Sequence, residues 1–171
     1  MSVASTARSS RCSVARDRRR LGGLLCAGLL VLLLGCVDPE DRRPGLWLSG
    51  DVAADAVDDW SFTDQHREIF LETKTRYLIP HSVTIACTSL QGRLYVGARH
   101  PTEKRWVANV GRDPDVRLEI GDLIYERRLA RVEDPDEEEA VYRAYAAKYG
   151  WEVAPPGERP ELWYFRVVSR N

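Results

Sequence analysis

Four cysteines, three histidines and one methionine are all that this 171-residue chain offers of the side chains that most often bind soft metals or carry thiol chemistry. Cys12 and Cys26 fall in the amino-terminal arm, Cys36 closes an apolar run, and Cys87 stands alone in a strand-like stretch. With Cys12 and Cys26 removed and Cys36 expected to be acylated, Cys87 is left alone, and no internal disulfide and no cysteine-built metal site can form. His66, His81 and His100 are scattered, with no pair at metal-ligand spacing. There is no Gly-x-Ser-x-Gly and no phosphate-binding P-loop, so nucleophilic and metal-dependent hydrolysis have no support. The chain also lacks an excess of positive charge. Its 25 basic and 26 acidic side chains fall to 19 and 25 once six arginines and Asp17 of residues 1–35 are set aside. A net charge of about −6 excludes nucleic acid as a partner, because phosphate backbones need a basic face. The one long apolar run, Leu21 to Leu34, falls short of the ~20 residues that span a bilayer comfortably.

What is present in that run is an export signal. Arg16, Arg18, Arg19 and Arg20 precede it, and Leu33-Leu34-Gly35-Cys36 ends it as a lipobox. The expected mature chain begins at Cys36, whose thiol carries lipid and ties the protein to a bacterial envelope membrane; a buried helix or plain anchor is the alternative. Val37, not Asp, follows the cysteine, and Asp38 comes one place later, which points to the outer membrane in a cell that has two. The strongly apolar run after Arg18-Arg19-Arg20-Leu21 favours the general export route, in which the chain crosses unfolded and meets any cofactor outside.

Three segments are expected: residues 1–35 as signal, 36–59 as a lipidated flexible tether, and 60–171 as one domain. The tether is rich in Asp, Ala and Pro and poor in large apolar residues, except for Trp47-Leu48, which can dock on the domain or on lipid. From Trp60 onward, β-branched and aromatic residues alternate over Glu68–Thr73, Ser82–Thr88 and Arg93–Arg99, and Gln91-Gly92 predicts a hairpin between the last two. Pro80 marks the start of the second of these strands. Residues 101–112 predict a short helix, capped by Thr102 and stopped by Gly111, with Trp106 in the core and Asn109 as a local cap or turn residue. Val116–Ile120 and Leu123–Val132 form a second hairpin about Gly121-Asp122. A longer helix follows, capped by Asp134 or Asp136, with Ala140, Val141, Ala144, Tyr145 and Lys148 at helical spacing up to Gly150. Leu162–Val168 is the last strand. The chain is therefore mainly β: a six-stranded antiparallel barrel with a short helix after the third strand and a longer helix before the last, closed so that no sheet edge is bare. Cys87 is a buried, inert thiol. Trp47, Trp60, Trp151 and Trp163 form either core and interface or a docking surface.

Gly92-Arg-Leu-Tyr-Val-Gly-Ala-Arg99, then Lys104-Arg105-Trp106-Val-Ala-Asn109-Val110, then Asp113-Pro114-Asp-Val116-Arg-Leu-Glu-Ile120 resembles the split β-barrel superfamily of pyridoxamine 5′-phosphate oxidase-like flavin proteins and deazaflavin-dependent nitroreductases. The resemblance covers about Phe70 to Val132. It implies a homodimer with FMN or a deazaflavin (F420) in a groove at the dimer interface, and an oxidoreductase acting on a small acceptor. Arg99, Lys104 and Arg105 are the implied phosphate contacts, in keeping with the need of a phosphate for guanidinium and ammonium groups; the same charges suit a solvated loop equally well. Gly97 and Ala98 are the implied flat surface for the isoalloxazine, and Thr84 and Thr88 the implied partners of the ring edge. The oxidases carry an Arg and a Lys on the strand corresponding to Ser82–Thr88. Here only His81, at its start, is basic, so oxidase-style FMN binding and a vitamin B6 substrate are not implied. The other reading is a cofactor-free split-barrel binding module tethered to the envelope.

Overall fold

In chain order the strands are β1 (Asp51–Val52), β2 (Glu68–Lys74), β3 (Pro80–Leu90), β4 (Arg93–Arg99), β5 (Asp115–Ile120), β6 (Leu123–Arg131) and β7 (Leu162–Val168). Two helices interrupt them, α1 (Arg105–Val110) after β4 and α2 (Pro135–Tyr149) after β6. The computed structural model describes Gly45, residues 47–54 and residues 56–170. The expected signal, Cys36 and the stretch 38–44 lie outside the described residues.

Strands β6-β5-β2-β3-β4-β7 pair in that order, every pair antiparallel, and β7 returns to β6 to close a six-stranded barrel. The fold is a split β-barrel, mainly β, as the alternation predicts. The β3–β4 hairpin turns through Gln91 at φ 53° and Gly92 at φ 73°, the left-handed pair that a two-residue turn requires. Ile69, Leu71, Ile85, Cys87, Leu94 and Val96 point inward and are almost completely excluded from solvent. Burial pushes the Cys87 thiol up, only partly offset by Lys148, whose Nζ lies 3.6 Å from the sulfur, so this cysteine is the inert core residue expected. Trp60 packs against Tyr125 at 5.3 Å between centroids, and its backbone N–H donates to Gly92 O at the β3–β4 turn. At the opposite end α1 packs Trp106 edge-on against Phe165, at 5.3 Å.

The helix expected over 101–112 is in fact two pieces. Pro101–Glu103 is a 3-10 turn, and the α-helical hydrogen bonds begin only with Ala108 N–H donating to Lys104 O. Thr102 therefore caps nothing; Lys104 occupies the cap position, with no side-chain hydrogen bond. Asn109 is no turn residue either: it is buried, and its Nδ2 donates to Thr73 Oγ1 at 3.0 Å, tying α1 to the end of β2.

Helix α2 follows the sequence closely. Asp134 accepts the Asp136 N–H, Pro135 opens the helix, and Gly150 closes it at φ 72°. It lies on the outer wall of the barrel in a layer dominated by tyrosine: Tyr95, Tyr142, Tyr145 and Tyr164 with Val132 and Val141. Tyr145 is stacked between Tyr149, Trp151 and Tyr164 at 5.4–6.0 Å, and its hydroxyl lies 2.9 Å from Ala86 O and 3.2 Å from Tyr95 O.

A second cover comes from the segment expected to be tether. Gly45 O accepts from Ser82 N, Leu48 N–H donates to a Glu72 carboxylate oxygen, Arg117 donates to Leu48 O, and Ala53 N–H donates to Ile124 O. Leu48 is 5% exposed, and β1 pairs in parallel with Leu123 and Ile124 of β6. Gly45 and residues 47–54 thus form a strap that runs from β3 across the outer faces of β2 and β5 to β6. Trp47 next to Leu48 remains exposed. The four tryptophans do not share one face, since Trp60 is core and Trp163 is half-buried beneath the Arg131 guanidinium, 3.7 Å from its ring.

Candidate functional site

The site is built where β4 ends. Arg99, the last residue of β4, pairs with Leu162 of β7, and His100 then takes the left-handed conformation at φ 52° while its N–H donates to Glu161 O. That reversal, followed by the fixed φ of Pro101, throws the chain off the sheet into the 3-10 turn and α1. Three cations result at exposed positions: Arg99 on the strand end, Lys104 at the helix cap and Arg105 on its first turn.

Their environment differs from that of the cations held in ion pairs. Lys74 pairs with Asp113, Arg117 with Glu72, Arg128 with Asp115, Arg159 with Glu139, Arg166 with Glu137 and Arg170 with Glu126. Among the described residues, Arg99, Lys104 and Arg105 have no carboxylate partner. An anion arriving there meets positive charge that no carboxylate among the described residues is paired with.

The other expected site residues are not brought together with this group. On β3 the inward row runs through Ile85 and Cys87, so His81 shares the core-side parity and Thr84 and Thr88 the outer one. His81 is half-buried, and its Nδ1 has no hydrogen-bond partner among the described residues. Thr84 is exposed on the outer face. Thr88 is completely buried and cannot reach a ligand ring. Gly97 and Ala98 do not form a flat surface. Ala98 points into the barrel core, and the opposite face at Gly97 is occupied by Tyr164 and Tyr145, whose ring atoms would lie 3.2–3.4 Å from an added Cβ. Gly97 is small because tyrosines of the α2 layer fill the space.

A concave feature elsewhere on the barrel was not legible in the sequence. At the Gly92 end, a cleft of about 330 Å³ is lined by Arg93, Arg127 and Arg166 together with Asp58 and Trp60. Arg127 lies 5.3 Å over the Trp60 ring, and Arg166 spends one nitrogen on Glu137. The three arginines come from β4, β6 and β7, and no local spacing in the sequence links them.

Solved structures of the same architecture exist. A conserved hypothetical protein of Mycobacterium tuberculosis aligns with a TM-score of 0.56 at 18% identity over 73% of this chain and 86% of its own. A candidate 5-nitroimidazole antibiotic resistance protein of Bacteroides thetaiotaomicron gives 0.52 at 14% identity, covering 75% of this chain and 89% of that one. A candidate pyridoxamine 5′-phosphate oxidase of Listeria innocua gives 0.50 at 17% identity, covering 63% and 87%. No protein-family model and no curated protein matches the chain. At these identities the likeness is one of fold, and it agrees with the closed barrel described above.

Proposed function

We propose that this split-barrel protein is a homodimeric envelope lipoprotein, tethered through Cys36, that binds a phosphate-bearing flavin-type cofactor, FMN or a deazaflavin, and passes hydride or electrons to a small acceptor. The observation that carries the reading is the trio Arg99, Lys104 and Arg105, exposed and without acidic partners among the described residues. The chemistry of the trio supports this reading: two guanidinium groups and one ammonium can hold a phosphate by charge-assisted hydrogen bonds. The ring end has no such fit at Gly97, Ala98 and Thr88, which are packed away; Thr84 alone of the outer pair stays open to a ligand. Once bound, the cofactor supplies the redox chemistry, and the chain supplies binding and orientation. The trio's part is to fix the phosphate and so set where the rest of the molecule lies.

The direct test is titration of FMN and of a deazaflavin into the purified mature lipoprotein in detergent, followed by cofactor fluorescence. Saturable binding in the micromolar range is expected, weakened about 10- to 100-fold in Lys104→Ala/Arg105→Ala, the loss of charged hydrogen bonds of roughly 1.5–3 kcal/mol. A folded protein that quenches neither cofactor overturns the reading.

A second reading is a cofactor-free binding module, and one specific observation favours it: the tyrosine layer fills the face on which a flavin ring was expected to lie. Under that reading the protein dimerises, binds no flavin, and Lys104→Ala/Arg105→Ala instead weakens binding of a simple anion such as inorganic phosphate.

A further inference from the structure

We infer that the turn joining β2 to β3 is a membrane-seating tip, in which Tyr77, Leu78 and Ile79 enter the interfacial layer of the bilayer that holds Cys36, with Trp47 lying at the same end of the barrel. The inference rests on the anchoring part of the proposed function and adds to it an orientation of the domain on the lipid surface.

The turn carries three large apolar residues in a row, 79%, 79% and 52% exposed, and among the described residues the only other exposed leucine or isoleucine is Leu123, at 40%. It is also firmly built. Thr75 N–H donates to Ile79 O at 3.0 Å, Leu78 N–H donates to Thr75 O at 2.9 Å, and Ile79 N–H donates to Thr75 Oγ1 at 3.2 Å. Leu78 is held at φ 61°, a region that disfavours a bulky side chain and suits glycine or asparagine. A strained leucine at the apex of a rigid turn, facing away from the protein, gains nothing from the fold itself. It gains free energy when that side chain leaves water.

The path of the chain identifies what covers the tip. The amino-terminal segment reaches the barrel at Gly45, whose carbonyl accepts from Ser82 N, two residues beyond Pro80 where the turn ends. Nine residues, 37–45, therefore separate the acylated cysteine from the base of the tip. At about 3.5 Å per extended residue they keep this end within ~30 Å of the membrane. Trp47 is 66% exposed between the Gly45 and Leu48 attachments to β3 and β2. Tyr and Trp favour the headgroup layer, and the exposed Arg76 beside Tyr77 suits an anionic lipid surface.

The test uses the full acylated lipoprotein in vesicles of phosphatidylethanolamine and phosphatidylglycerol that contain chain-brominated lipid. Acylation of Cys36 is first established by mass spectrometry. Bromine is expected to quench a component of tryptophan emission that is missing in Trp47→Phe, and Leu78→Asp/Ile79→Asp is expected to cut that component severalfold while the protein still sediments with the vesicles. Both substituted side chains are exposed, so folding is preserved, as near-ultraviolet circular dichroism will report. An acylated protein whose Trp47 is unquenched, or equally quenched in the double variant, overturns the tip alone. A Cys36 without lipid overturns the anchoring and the tip together. Efficient disulfide dimerisation of Leu78→Cys on the vesicles, with Trp47 unquenched, assigns the tip to a second copy and overturns the lipid assignment.

Discussion

The outer wall of the barrel is covered twice by the same chain, in two different ways. Helix α2 covers β3 and β4 with stacked tyrosines whose hydroxyls reach backbone carbonyls, Tyr145 OH to Ala86 O and Tyr149 OH to Cys87 O. The strap, residues 45–54, covers β2 and β5 with one buried leucine and a cluster of polar contacts around Glu72 and Arg117. The first cover buries large rings and shares in the cooperative fold; the second rests on a handful of hydrogen bonds and a two-residue parallel pairing. Local stability follows the apolar contacts, so the strap is expected to open before α2.

Tyr145→Ala attacks the stronger cover and is expected to cost about 3–5 kcal/mol, the range for removing a large buried ring, read as a lowered urea midpoint. Tyr145→Phe, which keeps the ring and drops the hydroxyl, is expected to lose only about 1 kcal/mol. If the two variants cost the same, the hydroxyl and not the stacking holds α2. Glu72→Ala attacks the weaker cover. It leaves the Leu48 N–H without its acceptor and takes from Arg117 its nearest carboxylate, though not its bond to Leu48 O, and is expected to cost about 1–3 kcal/mol. Amide exchange should accelerate in residues 47–54 and stay unchanged in α2. Uniform acceleration would mean that the two covers unfold as one.

Acid separates them further. Arg159 and Arg143 hold the Glu139 carboxyl on α2 down from its ordinary 4.5 to about 2. A carboxylate with a depressed folded pKa contributes stability that is fully present above 4.5 and is lost as the pH falls towards 2. The melting temperature of wild-type protein is therefore expected to fall through that window, and Glu139→Gln to flatten the fall. The smallest effect on stability belongs to Lys104→Ala/Arg105→Ala, expected within about 0.5 kcal/mol of wild type, since both side chains are exposed and unpaired among the described residues. A larger loss would make the trio part of the fold and not a site kept free for a ligand.

The six barrel strands, both hairpin turns and the limits of α2 were legible because their signals are local: period-two alternation, Gln91-Gly92, Asp134 before Pro135, Gly150. Strand parity puts Gly97 and Ala98 on opposite faces, so the single flat surface expected of them fails on that ground alone. What could not be read was what packs against each face. Gly97 offers a small surface, and nothing near it in sequence reveals that Tyr164 and Tyr145 fill the space above. Nor does the Asp- and Ala-rich stretch before Trp60 reveal that Leu48 will find Glu72, twenty-four residues on. The Arg93, Arg127 and Arg166 cleft is likewise a product of barrel closure.

The arrangement of the strap has a mechanical side. A pull along the amino-terminal segment loads Gly45 and Leu48 first, then the two rungs of β1 beside Leu123 and Ile124, all of which can peel in succession. The six-stranded ring behind them, closed by β6 and β7 through Arg128–Arg131, stays shut. Release of residues 45–54 would pay out about 35 Å of slack at ~3.5 Å per residue. The strap is a breakaway link, expected to yield under load without costing the protein its fold.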